Sequence, residues 1–170
     1  MPKTRDFRPN FAILKIFAFF FIFRFTCYLL TDKLLVMEMT HMAFAKLVYE
    51  MAGHIADIAN ANDIEISGHS SGGRAWRRSR RVKIRPIKSA VTYAIAMHEI
   101  GHVLGEQRGR RVEKEVQAWD WAKAHAIIWT PRMEQTKRKC LQSYIRWAEH
   151  KQARCNRVFI EPHDAIYREC

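Results

Sequence analysis

Ala96-Met97-His98-Glu99-Ile100-Gly101-His102-Val103-Leu104-Gly105 decides how the rest of the chain is read. At its centre stands His-Glu-x-x-His. Two histidines four residues apart on a helix lie one turn apart on the same face, so both imidazoles reach a single metal ion. The glutamate after the first histidine points to the flank, where it takes a proton from water that the metal activates. At about 100° per residue, Val91, Ala94, Ile95, His98 and His102 share one face of this helix. Tyr93, Met97, Ile100 and Leu104 form the opposite stripe, apolar enough to be a core face. Ser89, following Pro86, is the expected N-cap, and Gly105 the expected stop.

Two histidines and a water leave tetrahedral zinc one protein ligand short. A motif extended to His-Glu-x-x-His-x-x-Gly-x-x-His would supply a third histidine at position 108. Gly105 fits that extension, but the residue there is Arg108, which stays protonated and binds no metal. The third ligand therefore comes from elsewhere, and Glu115 is the best candidate. On a helix it shares a face with Val112, Ala118, Trp119, Ala122 and Ala126, whose alanines allow close approach to the histidine helix. Glu113 falls on the opposite side with Gln117 and Asp120, as a solvated surface group. His125 and Asp120 are the fallback ligands.

His98-Glu99-Ile100-Gly101-His102, then Glu115-Val116-Gln117-Ala118 and Trp121-Ala122, resembles the gluzincin metallopeptidases. Among these the chain is most similar to the small ImmA/IrrE-like proteins of phages and mobile elements. The similarity covers about Ile84 to Ala126. It implies zinc held by His98, His102 and Glu115, with Glu99 as catalytic base. It also implies a protein target such as a phage or element repressor. Trp119 departs from the pattern, since some relatives carry an aspartate four residues after the ligand glutamate.

A chain of 170 residues suits one domain with a moderate core. Its formal charge of +12 is unusual and points to acidic partners, nucleic acid or anionic membrane. Cys27, Cys140, Cys155 and Cys170 show no C-x-x-C spacing. They are expected to be free thiols in a reducing compartment, which makes the protein cytoplasmic.

Residues 1–36 form a basic and apolar N-terminal segment. Within it Phe11–Leu30 is strongly apolar but interrupted by Lys15 and Arg24, which are costly inside a membrane span. Three readings stand: a membrane anchor, an extension packed on the domain, or translated sequence upstream of a start at Met37.

The metallopeptidase domain is expected over residues 37–129. From Leu34 to Asn60, Phe44, Leu47, Val48, Met51, Ile55 and Ile58 recur as one buried helical stripe. Asn60–Asp63 is a turn, Ile64–Ile66 a short strand, and Ser67–Gly73 a flexible connection. Arg74 to Lys88 then carries eight cations and no acid. Alternation in Arg81-Val82-Lys83-Ile84-Arg85 predicts a strand with one apolar and one basic face. By resemblance to zincins this is an edge strand along which an extended peptide binds, its charges favouring an acidic substrate or phosphates. Residues 130–170 are a helical addition that opens with Thr130 as N-cap and Pro131 at the first helical position. Met133, Cys140, Leu141, Tyr144 and Trp147 are its expected buried stripe.

The expected class is α+β, with a minimal zincin-like fold. Its parts are an N-terminal helix, a small twisted sheet, the histidine helix, the glutamate helix and the C-terminal addition. The leading functional expectation is a zinc-dependent endopeptidase acting on a protein or peptide, with Tyr93, His69, Arg85 and Tyr144 as candidate oxyanion partners. The alternative is a basic nucleic-acid-binding or regulatory protein with a structural or vestigial zinc site, its contacts made by Arg74–Lys88. A membrane-associated factor anchored through Phe11–Leu30 is the third expectation.

Overall fold

Local signals place the elements, and the computed structural model describes residues 40–70, 72–155 and 157–170. The segment 1–36 with its apolar run Phe11–Leu30, and Met37, lie outside the described residues. The chain divides into two units, Met1–Ala45 and Lys46–Cys170. Of the first, residues 40–45 are described, and they are helical and exposed.

Helix α1 is described over residues 40–61. Its apolar spacing buries Met51, Ile55 and Ala59, with Leu47 and Ile58 packed beside them. Phe44 departs from the expected stripe and is 52% exposed. The expected turn follows, with Asp63 in the left-handed region at φ 51 and Ile64 N–H donating to Ala59 O at 2.9 Å. A short polar side chain tolerates that backbone conformation better than most.

Three strands follow, β1 (Glu65–Gly68), β2 (Gly73–Trp76) and β3 (Arg81–Ile84), in the order β1-β3-β2. β1 runs parallel to β3, and β2 pairs with it antiparallel, with Arg74 opposite Lys83 and Trp76 opposite Arg81. Alternation in β3 came out as expected: Val82 and Ile84 are buried, while Arg81 and Lys83 face out. Its place did not. β3 is the central strand, and the edges are β1 and β2. The cause is β2, whose residues Gly-Arg-Ala-Trp carry too little apolar periodicity to be read as a strand and which takes the outer position by forming a hairpin.

Helix α2 (Ala90–Leu104) begins at Ser89, whose hydroxyl accepts from Thr92 N–H while the Thr92 hydroxyl accepts from Ser89 N–H. It ends at Gly105 as expected, with the Gly105 N–H donating to Gly101 O. The sheet, helix α3 (Arg111–His125) and helix α4 (Pro131–Cys155) all pack around α2, so Tyr93, Ala94, Ala96, Met97, Ile100 and Val103 are buried alike. The two-faced helix expected from the wheel is thus buried on nearly every side. Thr130 caps α4 by accepting from Met133 N–H. Met133 and Leu141 are buried on α4 as expected, and Cys140, Tyr144 and Trp147 are half-buried. A short helix α5 (Ala165–Arg168) follows, with Ile166 in the core.

The result is an α+β chain with five helices and a small mixed sheet among the described residues. Among those residues no helix is long and apolar enough to cross a membrane. Cys140, Cys155 and Cys170 are free thiols.

Candidate metal centre

Helix spacing puts His98 and His102 on one face of α2, and a close helix contact brings Glu115 to them. That contact depends on Gly101. A Cβ there would lie 2.5 Å from the backbone oxygen of Ala118, so glycine and alanine let α2 and α3 approach nearly backbone to backbone. Glu115, one turn before Ala118, is thereby carried against the two imidazoles.

The three side chains present one atom each to a common point. His98 Nε2 lies 3.1 Å from His102 Nε2, and Glu115 Oε2 lies 3.3 Å from each nitrogen. A tetrahedral ion with bonds of about 2.0–2.1 Å has ligand atoms roughly 3.3–3.4 Å apart, which matches this triangle. The His102 Nδ1 faces Gln107 Oε1 at 3.4 Å, which directs its Nε2 lone pair into the cluster. Glu115 Oε2 is buried without a well-directed hydrogen bond, and so is His98 Nδ1. Lone pairs aimed at one buried point repel each other unless a cation or proton sits among them. The group could hold a metal ion.

Electrostatics separates the two carboxylates. Burial pushes Glu99 up to about 7. Burial acts on Glu115 in the same sense, but the two imidazoles outweigh it and hold this carboxyl at about 2. Burial depresses His98. It acts the same way on His102, where the Glu115 and Glu99 charges prevail and raise the ring. Taking such groups out of water costs several kcal/mol each unless they are paired. A concentration of them in one place marks a functional site more often than a stability device.

Glu99 stands beside this cluster, under strand β2. A Cβ on Gly73 would lie 2.4 Å from Glu99 Cγ and 2.6 Å from its Oε1, so the carboxylate occupies the space a side chain would fill. Trp119 lies against His98 with ring centres 4.3 Å apart and planes 24° from parallel. This stack packs one face of the His98 imidazole against α3. Tyr144 comes from α4 and sits beside Glu115 and Arg111. Its burial, with the Glu115 charge added, pushes the hydroxyl up to about 12. Cys140, one turn earlier on α4, is not part of the cluster. Burial and the Glu115 and Glu99 charges raise its thiol.

The other expected candidates lie elsewhere. Asp120 pairs with the buried Lys137 at 2.9 Å, and Glu169 holds the same ammonium at 2.6 Å. His125 stacks on Trp121 and bonds its carbonyl through Nδ1 at 2.8 Å. Neither fallback ligand joins the site. Tyr93 is buried, its hydroxyl engaged by His54 Nδ1 at 2.8 Å and by Ile127 N–H at 3.0 Å. Arg85 donates to Ser70 O at 3.1 Å. His69 is half-buried just past β1, its N–H donating to Ile84 O at 2.9 Å. Glu113 is more than the solvated group expected. It accepts from Arg110 N–H at 2.6 Å and pairs with the Arg110 guanidinium, closing the first turn of α3.

Gly73 and Gln107 were not foreseen near the site, and Tyr144, expected as a candidate oxyanion partner, was not foreseen beside Glu115. Their separations of 26, 5 and 29 residues from Glu99, His102 and Glu115 follow no local period, so only the packing brings them in. Comparisons with protein families, with curated proteins and with solved structures find no match to this chain.

Proposed function

We propose that the chain is a zinc-dependent endopeptidase of the gluzincin type, acting on a protein or peptide. Its main support is the convergence of His98 Nε2, His102 Nε2 and Glu115 Oε2, with Glu99 buried alongside but outside the triangle. Two imidazoles and one carboxylate suit zinc and leave one tetrahedral position free. When bound, zinc supplies Lewis acidity, polarising a carbonyl and bringing the pKa of water towards ~7. Glu99 accepts the proton of the attacking water and returns a proton to the leaving amine. Burial suits it to that exchange, since a carboxyl with a pKa about 7 both takes and gives a proton near neutrality. Tyr144 remains protonated at working pH and donates a hydrogen bond to the developing oxyanion.

The exposed edge of the sheet nearest Glu99 belongs to β2, since Gly73 rests on that carboxylate. An extended peptide that adds to this edge runs past Glu99. The likeness of Ile84 to Ala126 to ImmA/IrrE-like proteins suggests a regulator of a phage or mobile element as the target, including one bound to DNA. The core order of helix, sheet, histidine helix and glutamate helix is also that of a minimal zincin-like domain.

Metal analysis tests this directly. One zinc per chain is expected, with nitrogen and oxygen neighbours only. X-ray absorption showing a zinc–sulfur distance near ~2.3 Å would overturn the ligand set and point to Cys140. Removing the metal with a chelator is expected to abolish cleavage, and zinc to restore it.

Gly73 offers a second check. Gly73→Ala is expected to retain zinc but to move the Glu99 carboxylate, lowering kcat/KM by at least about 10-fold, as misplacement by about 1 Å does elsewhere. Unchanged kcat/KM would show that the β2 contact does not position the base.

A further inference from the structure

The outward face of the sheet carries chemistry that peptide hydrolysis does not use. Gly73 and Ala75 in β2, with Val82 and Ile84 in β3, turn towards α2. Their alternates Arg74, Trp76, Arg81 and Lys83 therefore share the opposite face. Trp76 stays 36% exposed there. The Arg74 guanidinium lies 5.1 Å and Lys83 Nζ 5.9 Å from its ring centre. The hairpin turn adds exposed Arg77, Arg78 and Arg80. Of the eight cations in residues 74–88, only Arg81 pairs with a carboxylate among the described residues, Glu65 at 3.0 Å.

Protection of a sheet edge does not explain this distribution. Charges that guard an edge belong on the edge strand, whereas Arg81 and Lys83 are on the central strand β3. Nor does solubility, which gains nothing from a half-exposed tryptophan set among cations. Like charges at this density repel each other and favour a polyanion that neutralises several of them together. A lipid surface would ask for a broad apolar face, and here there is one ring.

We infer that this face binds single-stranded nucleic acid, its cations meeting phosphates and Trp76 stacking on a base. The face lies across the sheet from α2 and the His98 cluster, so binding does not occlude that site. The inference does not rest on peptidase activity.

Fluorescence anisotropy tests it with the full chain, a labelled 12-nucleotide single strand and a chelator present. Four phosphate contacts would give a salt slope of about −3, so binding should weaken roughly 50-fold between 50 and 200 mM salt. Trp76→Ala is expected to lose about 10-fold in affinity at an unchanged slope. Arg74→Gln with Lys83→Gln should reduce the slope by about 1.4, two contacts' worth. Arg78→Gln, in the turn and outside the sheet, provides a variant whose folding is not in question and should reduce it by about 0.7. Binding of either DNA or RNA single strands supports the inference. It is overturned by no binding at 50 mM salt, by affinity and slope unchanged in all the variants, by tighter binding to a duplex, or by binding to vesicles of anionic phospholipid without binding to the oligonucleotide.

Discussion

Glu99→Gln is expected to bind zinc as tightly as the wild type and to lose peptide hydrolysis by at least about 100-fold, the lower end of what positioned proton transfer contributes. Glu99 is next to His98 in sequence, yet the triangle with His98 and His102 is completed by Glu115 instead. A carboxylate kept buried beside the His98–His102–Glu115 cluster without joining it is costly, and the proposed proton transfer would account for that cost. Glutamine is nearly the same shape and fits under Gly73 in the same space, so fold and metal content should be preserved. Its amide accepts no proton. Because the substrate is unknown, the zinc-loaded Glu99→Gln chain serves as a trap, and the captured proteins are then offered to the wild type. Cleavage by the wild type alone is the expected result. If captured proteins are never cut, and Glu99→Gln matches the wild type in cells, peptide hydrolysis is not the function.

Glu115→Ala is expected to weaken zinc binding by more than about 10-fold, since it removes one of the three proposed ligands and losses of about 10–100-fold follow from disturbing even the residues behind a ligand. Glu113→Ala should leave zinc affinity unchanged. It should instead cost about 1 kcal/mol of stability by removing the group that closes the first turn of α3. His98→Ala should lose metal and activity together. Competition against a chromophoric chelator measures the affinities, and thermal unfolding the stability. Loss of zinc with Glu113→Ala and not with Glu115→Ala would mean that α3 presents its other face to the histidines.

The spacing of His98 and His102 made the pair legible from sequence, because a helix maps a separation of four onto one face whatever surrounds it. Helical phase likewise separated Glu115 from Glu113, and small side chains at Gly101 and Ala118 allowed the close contact between their helices. The caps at Ser89 and Thr130 were readable for the same reason, since a cap is made within one turn. Periodicity also found β3 and the buried part of α1.

Strand order was not legible, since β2 has no apolar alternation and its position depends on pairing with β3. The expectation that the strand before α2 is the edge failed on that point. Phase alone also could not show that α2 is enclosed, because a wheel describes one helix and not the number of elements packed around it. Glu99 under Gly73, Trp119 flat on His98 and Tyr144 beside Glu115 are contacts between residues with no common period. The residues themselves determined which groups are able to bind a metal and move a proton. Tertiary packing decided which atoms meet, since burial among neighbours far away in the chain lifts Glu99 to about 7, while the imidazoles brought against Glu115 outweigh its burial and hold it at about 2.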